Sequence, residues 1–116
     1  MAEDAGPELG GESGYTLARV RFGIVLSPQA LEDFNGLTAY ERTEVRRRLE
    51  IHLRREPTKT SRSRIKRLRG LARPQFRLRV GNIRIFYDVE GRTVQVLTIV
   101  TKQKAEQWLR QSGVPE

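Results

Sequence analysis

QFRLRVGNIRIFYDVEGRTVQVLTIV, residues 75–100, is the stretch of sequence that decides the fold. It contains three strand-like runs, Gln75–Val80, Ile83–Val89 and Thr93–Val100. The runs are joined by the pairs Gly81-Asn82 and Glu90-Gly91, and two-residue connections of this composition favour β-hairpins. The stretch therefore predicts a small antiparallel sheet made of consecutive hairpins.

Alternation along the strands gives this sheet two unlike faces. The expected pairs across the two turns are Val80–Ile83, Arg79–Arg84, Arg77–Phe86, Arg84–Leu97 and Phe86–Gln95. One face is apolar and consists of Phe76, Leu78, Val80, Ile83, Ile85, Tyr87, Val94 and Val96. The other face carries Arg77, Arg79, Arg84 and Phe86. Such a sheet packs on helices with its apolar face and offers guanidinium groups to phosphate with the other.

The composition of the 116-residue chain is that of one globular domain with a strongly charged surface, because 37% of its residues are hydrophobic and 31% are charged. The chain has no cysteine and a single histidine, His52, which excludes disulfides, thiolate-bound zinc and histidine-rich metal sites. We therefore expect no metal or other cofactor.

No apolar run is long enough to span a membrane, and acidic residues stand where a signal peptide would be basic, so we expect the protein in the cytoplasm.

Basic residues are concentrated in the middle of the chain. The formal net charge of the whole chain is +8, whereas Arg42–Arg84 contains sixteen Lys and Arg residues and three Glu residues, a net charge of +13. So high a density of positive charge favours a polyanionic partner. Nucleic acid is the first candidate, an acidic protein the second and an anionic membrane the third. The alternative is a solvated basic surface that serves solubility, although mixed charges would serve it better.

The order of predicted elements is β-α-α-β-β-β-β-α, within one domain over residues 15–116. Residues 1–14 are acidic, rich in glycine and nearly without apolar side chains, which predicts a disordered tail. A strand over Arg19–Leu26 precedes two helices, the first capped by Ser27 and the second by Thr38. The second helix has an apolar stripe formed by Val45, Leu49 and Leu53. The prediction is an α+β fold in which a helical hairpin packs on a small twisted antiparallel sheet.

Three residues that often carry chemistry are assigned structural roles. Tyr87 falls on the apolar face of the sheet, and His52 falls at the boundary of the second helix's apolar stripe. Trp108 belongs to a closing helix over Lys102–Gln111, and we expect it to anchor that helix to the sheet.

The cationic face of the sheet is the best candidate site. Arg77, Arg79 and Arg84 are neighbours on it, so they can contact one or two phosphates and stabilise the charge of a phosphoryl transition state. Arginine stays charged and transfers protons poorly, which makes Lys102 and Lys104 the candidates for proton transfer. The other predicted RNA contacts are Lys66, Arg67, Arg69 and Phe86. The alternatives are an exposed basic strand face whose long side chains cover an aromatic ring, and ordinary surface lysines.

Three segments of the sequence are similar to the RelE/ParE toxins of bacterial type II toxin–antitoxin modules. They are Leu26–Ala30 with the helical hairpin that follows, Lys66–Leu71 and Phe76–Val89, and the similarity extends from Arg19 to Leu109. The resemblance implies a RelE-like fold and neutralisation by a cognate acidic antitoxin. In the RelE branch it also implies metal-independent cleavage of mRNA on the ribosome, in which the ribose 2′-hydroxyl attacks the adjacent phosphate.

The resemblance assigns the basic site residues of these toxins to Arg77, Arg79 and Arg84. The C-terminal part departs from the pattern, because nucleases of the family usually have a basic residue and then a tyrosine there, whereas this chain has Lys102-Gln103-Lys104 and later Trp108. The first hypothesis is a toxin that acts as an mRNA endoribonuclease and inhibits translation. The second is a ParE-like toxin that poisons DNA gyrase without cutting RNA, and the third is an inert nucleic-acid-binding module on the same scaffold.

Overall fold

Three helices and seven strands form among residues 21–116, the part of the chain that the computed structural model describes. In chain order they are β1 (Gly23–Leu26), α1 (Pro28–Asn35), α2 (Ala39–Arg48), β2 (Ile65–Arg67), β3 (Leu71–Arg73), β4 (Phe76–Val80), β5 (Ile83–Glu90), β6 (Thr93–Thr101), α3 (Lys102–Ser112) and β7 (Val114–Pro115). Helix α2 continues into a π-helical turn over Leu49–Leu53. The predicted tail over residues 1–14, and the parts of the predicted domain and first strand that precede residue 21, lie outside the described residues.

Five strands form the main sheet, in the order β1-β6-β5-β4-β2. Neighbouring strands in it are antiparallel except β1 and β6, which run parallel. The predicted α+β fold, with a helical hairpin on a mostly antiparallel sheet, is thus confirmed. Strands β3 and β7 form a separate two-stranded sheet that the predicted element order lacks. They contain three and two residues, too few for an alternating pattern to be visible in the sequence.

The first hairpin has the predicted register. Arg79 lies opposite Arg84, and Arg77 lies opposite Phe86. Gly81 in the connecting turn has φ +57°, a conformation that glycine adopts without strain. The two strands that carry the candidate arginines are therefore placed as the sequence indicates.

The second hairpin turns one residue later than predicted, so the predicted register across it is wrong. Its turn is Gly91-Arg92, because Glu90 already pairs with Thr93. The pairs observed in place of Arg84–Leu97 and Phe86–Gln95 are Arg84–Val100 and Phe86–Thr98. A further shift of one residue in the register comes from a β-bulge in β6, where Leu97 has no partner on β5.

The helical hairpin covers the apolar face of the sheet, as predicted. The stripe residues Val45, Leu49 and Leu53 are buried. They belong to one core cluster with all eight residues assigned to the apolar face. Burial of apolar surface between the two layers is the main stabilising contribution to this fold.

The two predicted helix caps both form. The Ser27 side chain accepts a hydrogen bond from the Ala30 backbone N–H (3.0 Å) at the start of α1. Thr38 and Glu41 form a capping box at the start of α2, in which each side chain accepts from the other residue's backbone N–H. The caps fix where each helix begins and thereby the chain direction between them.

Helix α3 lies on the opposite face of the sheet from the helical hairpin. The Trp108 ring is stacked on Phe86, with the ring centroids 5.3 Å apart and the planes 5° apart. The predicted role of Trp108 as an anchor for this helix is confirmed. No helix among residues 21–116 is long and apolar enough to cross a membrane.

Candidate nucleic-acid interface

The candidate site is the arginine face, which we define as Arg77 and Arg79 of β4 and Arg84 of β5. The cross-strand pair Arg79–Arg84 and the position of Arg77 two residues from Arg79 bring the three onto one side of the sheet. Their exposure differs, because Arg79 is exposed, Arg77 is half-buried and Arg84 is 7% exposed. The face therefore offers one fully accessible guanidinium group and two that are recessed.

Arg84 is held in place by the hairpin that carries it. Its Nη1 donates to the carbonyl oxygens of Gly81 (2.8 Å) and Ile83 (3.1 Å). Hydrogen bonds to two main-chain acceptors restrict the rotamers of a long side chain and so lower the entropic cost of binding an anion. Arg84 is thus the most preorganised member of the arginine face.

Among the described residues, no nearby acid balances the positive charge of the arginine face. No carboxylate within residues 21–116 forms an ion pair with any of its members. Burial is the main cause that lowers the pKa of Arg84, and the charges of Arg77 and Arg79 lower it further. Burial and the charge of Arg79 likewise lower the pKa of Arg77. Because arginine remains protonated at physiological pH, a phosphate placed here would relieve mutual repulsion.

Arg77 also has an unused donor. Its Nε is buried and makes no hydrogen bond with the described part of the chain. A buried N–H without a partner costs about 1–3 kcal/mol, and an anionic oxygen is a strong acceptor for it. Because this Nε is buried, a phosphate oxygen can reach it only if the Arg77 side chain moves.

The basic surface continues onto β2. Lys66, a predicted RNA contact, lies opposite Arg77 and shares its side of the sheet. Arg64 precedes β2, and its carbonyl oxygen accepts the Arg79 backbone N–H (2.9 Å). Arg64 is not among the predicted site residues, because it lies in a polar loop whose register gives no periodic signal. The only sequence signal for Arg64 is that it lies within the strongly basic segment Arg42–Arg84.

The other two predicted basic contacts, Arg67 and Arg69, lie in different surroundings. The Arg67 guanidinium lies over the Phe76 ring (5.3 Å to its centroid) and donates to the carbonyl of Gln75 (2.8 Å), so it is held at the sheet edge on the core side. Arg69 is exposed and lines, with Lys66 and Leu109, a groove of about 570 Å³ beside α3. Lys66 is therefore the one of the three that adjoins the arginine face directly.

Lys102 and Lys104 stand at the start of α3, next to the turn that Arg84 contacts. The Lys102 backbone N–H donates to the Asn82 carbonyl (2.8 Å), and the Asn82 side chain donates to Gln103 (3.3 Å). Both lysine side chains are exposed. The structure thus places the start of α3 beside the Gly81-Asn82 turn of the hairpin that carries the arginine face, and both lysines are exposed there.

Phe86 is almost completely covered. It shares a side of the sheet with Arg77 but is 1% exposed, because Trp108 lies over its ring. A ring without solvent contact has no free surface on which a base can stack. We therefore leave Phe86 out of the RNA contacts proposed below and assign it to the attachment of α3.

In the described part of the chain, no histidine, tyrosine or carboxylate that could transfer protons or bind a metal belongs to the arginine face. Tyr87 faces the core, where burial raises its pKa and its hydroxyl donates to the Pro57 carbonyl (2.6 Å). His52 lines a different pocket, described below. Within residues 21–116, no three His, Cys, Asp or Glu side chains form a group that could hold a metal ion. The arrangement is suited to binding and stabilising negative charge.

Comparison with known proteins identifies the family. Residues 24–105 match the family model described as the ParE toxin of the type II toxin–antitoxin system parDE. The chain belongs to this family. It is a RelE/ParE-type toxin. Sequence comparison with curated proteins gives no significant match.

Solved structures of related complexes have the same fold as this RelE/ParE-type toxin. The RelB–RelE antitoxin–toxin complex from Methanococcus jannaschii matches with a TM-score of 0.58 and 18% identity, over 72% of this chain and 96% of that chain. The archaeal RelE–RelB complex from Pyrococcus horikoshii matches with a TM-score of 0.59 and 18% identity, over 71% and 96%. A toxin–antitoxin complex from Mycobacterium tuberculosis gives 0.59 and 24%, over 72% and 93%. At these identities the likeness concerns the fold alone.

Proposed function

We propose that this toxin is an endoribonuclease that binds mRNA on the ribosome, cleaves it and thereby inhibits translation in the cytoplasm. The observation that carries the proposal is the arginine face, where three guanidinium groups adjoin without a carboxylate from the described residues. An uncompensated cationic cluster on a preorganised hairpin is complementary to a phosphate that gains charge during reaction. Lys66, opposite Arg77, extends the same binding surface along the RNA backbone.

The proposed reaction is attack of a ribose 2′-hydroxyl on its own 3′-phosphate. The new O–P bond forms as the bond to the 5′-oxygen of the next nucleotide breaks, which leaves a 2′,3′-cyclic phosphate and a 5′-hydroxyl. Arg77, Arg79 and Arg84 stabilise the extra charge on the phosphate oxygens. Lys102 or Lys104 assists transfer of the proton from the 2′-hydroxyl to the leaving oxygen, since arginine is too weak an acid for that role.

The antitoxin is proposed to neutralise the toxin by covering this surface. A net charge of +13 over Arg42–Arg84 repels itself, and an acidic antitoxin segment across the arginine face would relieve the repulsion while blocking RNA. Complex formation should weaken as salt is added, and the part that remains at high salt measures apolar contacts.

The test is to induce the protein in growing cells and to follow mRNA integrity and DNA synthesis together. We expect cuts within translated mRNAs to appear before DNA synthesis slows, and Arg79→Ala to abolish both the cuts and the growth arrest. Arg92→Ala removes an exposed arginine from the distant Gly91-Arg92 turn and should change neither. Growth arrest with intact mRNA would reject the proposal.

Poisoning of DNA gyrase is the second candidate, and one observation favours it. The arginine face contains no tyrosine or histidine among the described residues, so proton transfer depends on two solvent-exposed lysines. A toxin that only binds its target needs no proton-transfer group. Trapped gyrase–DNA adducts in the same induction experiment, together with unbroken mRNA, would support this candidate.

A further inference from the structure

A second basic recess lies around the edge of the sheet from the arginine face. It is a pocket of about 100 Å³ between the π-helical turn and the loop that follows it, and we call it the loop pocket. Its polar lining consists of His52, Glu56, Lys59, Thr60, Ser61 and Arg64. Neither the proposed reaction nor the core uses these side chains.

The loop that forms this pocket has a defined backbone shape. Ser61 is central to it, because its backbone N–H donates to the Ile65 carbonyl (2.9 Å) and its Oγ accepts from the Arg64 (3.0 Å) and Ile65 (3.2 Å) backbone N–H groups. At its beginning, the Pro57 carbonyl accepts the buried Tyr87 hydroxyl. A loop fixed at both ends presents its side chains with little loss of entropy on binding.

The loop pocket is electropositive and has hydroxyl donors. Burial is the main cause that lowers the pKa of His52, and the charges of Arg64, Arg48 and Arg47 lower it further. The one acid in the lining, Glu56, is exposed and lies 3.7 Å from the Lys59 ammonium group. Ser61 Oγ accepts two hydrogen bonds, so its own O–H remains available to a ligand oxygen.

Arg64 connects the loop pocket to the arginine face. Its side chain lines the pocket, and its carbonyl accepts the backbone N–H of Arg79. We propose that the loop pocket binds a second phosphate of the same RNA strand whose scissile phosphate lies at the arginine face. The inference rests on the proposed function and specifies the substrate as an RNA that crosses β2 and contacts both recesses.

The sole histidine of the chain makes this proposal directly measurable. The imidazole C–H resonances of His52 are unique in a proton NMR spectrum. The probes are a dinucleotide and an oligonucleotide several nucleotides long, both 2′-O-methylated to prevent cleavage. We expect only the longer RNA to shift the His52 resonances and to raise the His52 pKa, because a bound phosphate offsets the charges of the neighbouring arginines.

A salt titration of wild type and variants gives the second readout. Lys59→Ala should reduce the slope of log affinity against log salt by about 0.7 for the longer RNA, the value for one phosphate contact on a single strand. The dinucleotide should bind Lys59→Ala and wild type alike. Arg92→Ala removes the same charge from an exposed turn and serves as the matched control.

The outcomes separate this inference from the proposed function. If the longer RNA binds, loses affinity in Arg79→Ala and leaves His52 unshifted, the loop pocket is not a phosphate site and the proposed function stands. If neither RNA binds in a way that depends on Arg79, this inference fails, and the induction experiment with Arg79→Ala decides the proposed function separately. If an acidic peptide shifts His52 while RNA does not, the pocket binds a protein and the inference is overturned.

Discussion

The rings of Phe86 and Trp108 lie nearly parallel, 5.3 Å apart at their centroids, on the side of the sheet that carries the candidate arginines. This pair attaches α3 across a surface that is otherwise cationic. None of the residues of α3 is fully buried, so the helix depends on few contacts. The pair therefore links the position of Lys102 and Lys104 to the surface that they adjoin.

Trp108→Ala should destabilise the protein. We expect the free energy of unfolding to fall by about 2 kcal/mol, because the change removes aromatic contact area and exposes Phe86, although Trp108 itself is only half-buried. Trp108→Phe retains a stacking ring and should lose less than half as much. Urea denaturation followed by circular dichroism measures both, and an unchanged midpoint for Trp108→Ala would contradict this role.

The part of the fold that the sequence predicts is the part governed by local pattern. The hairpin at Gly81-Asn82, the pair Arg79–Arg84 and the apolar stripe of α2 follow from turn residues and side-chain periods. The same local rules place Arg77, Arg79 and Arg84 together before any tertiary contact is known. The arginine face can thus be predicted once the turn at Gly81-Asn82 is placed correctly.

The features that the sequence does not predict depend on long-range contacts or irregular backbone. The bulge at Leu97 shifts the register of β6 and has no signature in residue type. Phe86 alternates onto the arginine face as predicted, yet its burial depends on a helix that returns across the sheet from twenty-two residues later. The loop pocket lies between the π-helical turn that follows α2 and a loop whose sequence has no periodicity. No local sequence pattern predicts that these two segments come together.

Arg84→Ala should abolish toxicity without unfolding the protein. Among the described residues, the arginine donates only to carbonyls of its own turn, and its loss also removes repulsion from Arg77 and Arg79, so stability should change by less than about 1 kcal/mol. Loss of one preorganised donor to a transition-state oxyanion should slow cleavage about 10²- to 10³-fold. Growth assays and single-turnover cleavage measure this. Full toxicity in a folded, well-expressed variant would remove Arg84 from the site.

Tyr87→Phe should lower stability and leave the activity of the folded protein unchanged. The change leaves the Pro57 carbonyl, in a buried contact, without its donor, at a cost of about 2 kcal/mol in the free energy of unfolding. Tyr40→Phe is the matched control, because Tyr40 is 76% exposed and should be neutral. Cleavage assays below the unfolding transition test the second half, and a large loss of cleavage by the folded variant would show that Tyr87 has a role in the reaction.

The stability of the protein should fall as pH falls through the range around the ordinary histidine pKa of about 6.5. The pKa of His52 is lower in the folded state, mainly through burial, so the unfolded chain binds more protons in this range. Protonation therefore favours unfolding, and the free energy of unfolding increases with pH until His52 is neutral in both states. His52→Gln should flatten this part of the profile. Equal pH dependence of the two proteins between about pH 5 and pH 7 would refute the assignment.

A single 2′-O-methyl group at the cut site should prevent cleavage without preventing binding. In the proposed reaction the 2′-oxygen is the nucleophile, so methylation removes the group that attacks, whereas the contacts of Arg77, Arg79 and Arg84 with phosphate oxygens remain. Cleavage of the unmodified RNA should leave a 2′,3′-cyclic phosphate and a 5′-hydroxyl. The measurement compares ribosome-bound mRNAs that differ only in this methyl group, with affinity determined for both. A nuclease that activates water on a bound metal would cut both RNAs and leave other ends, so cleavage of the methylated mRNA would exclude the mechanism proposed for the arginine face.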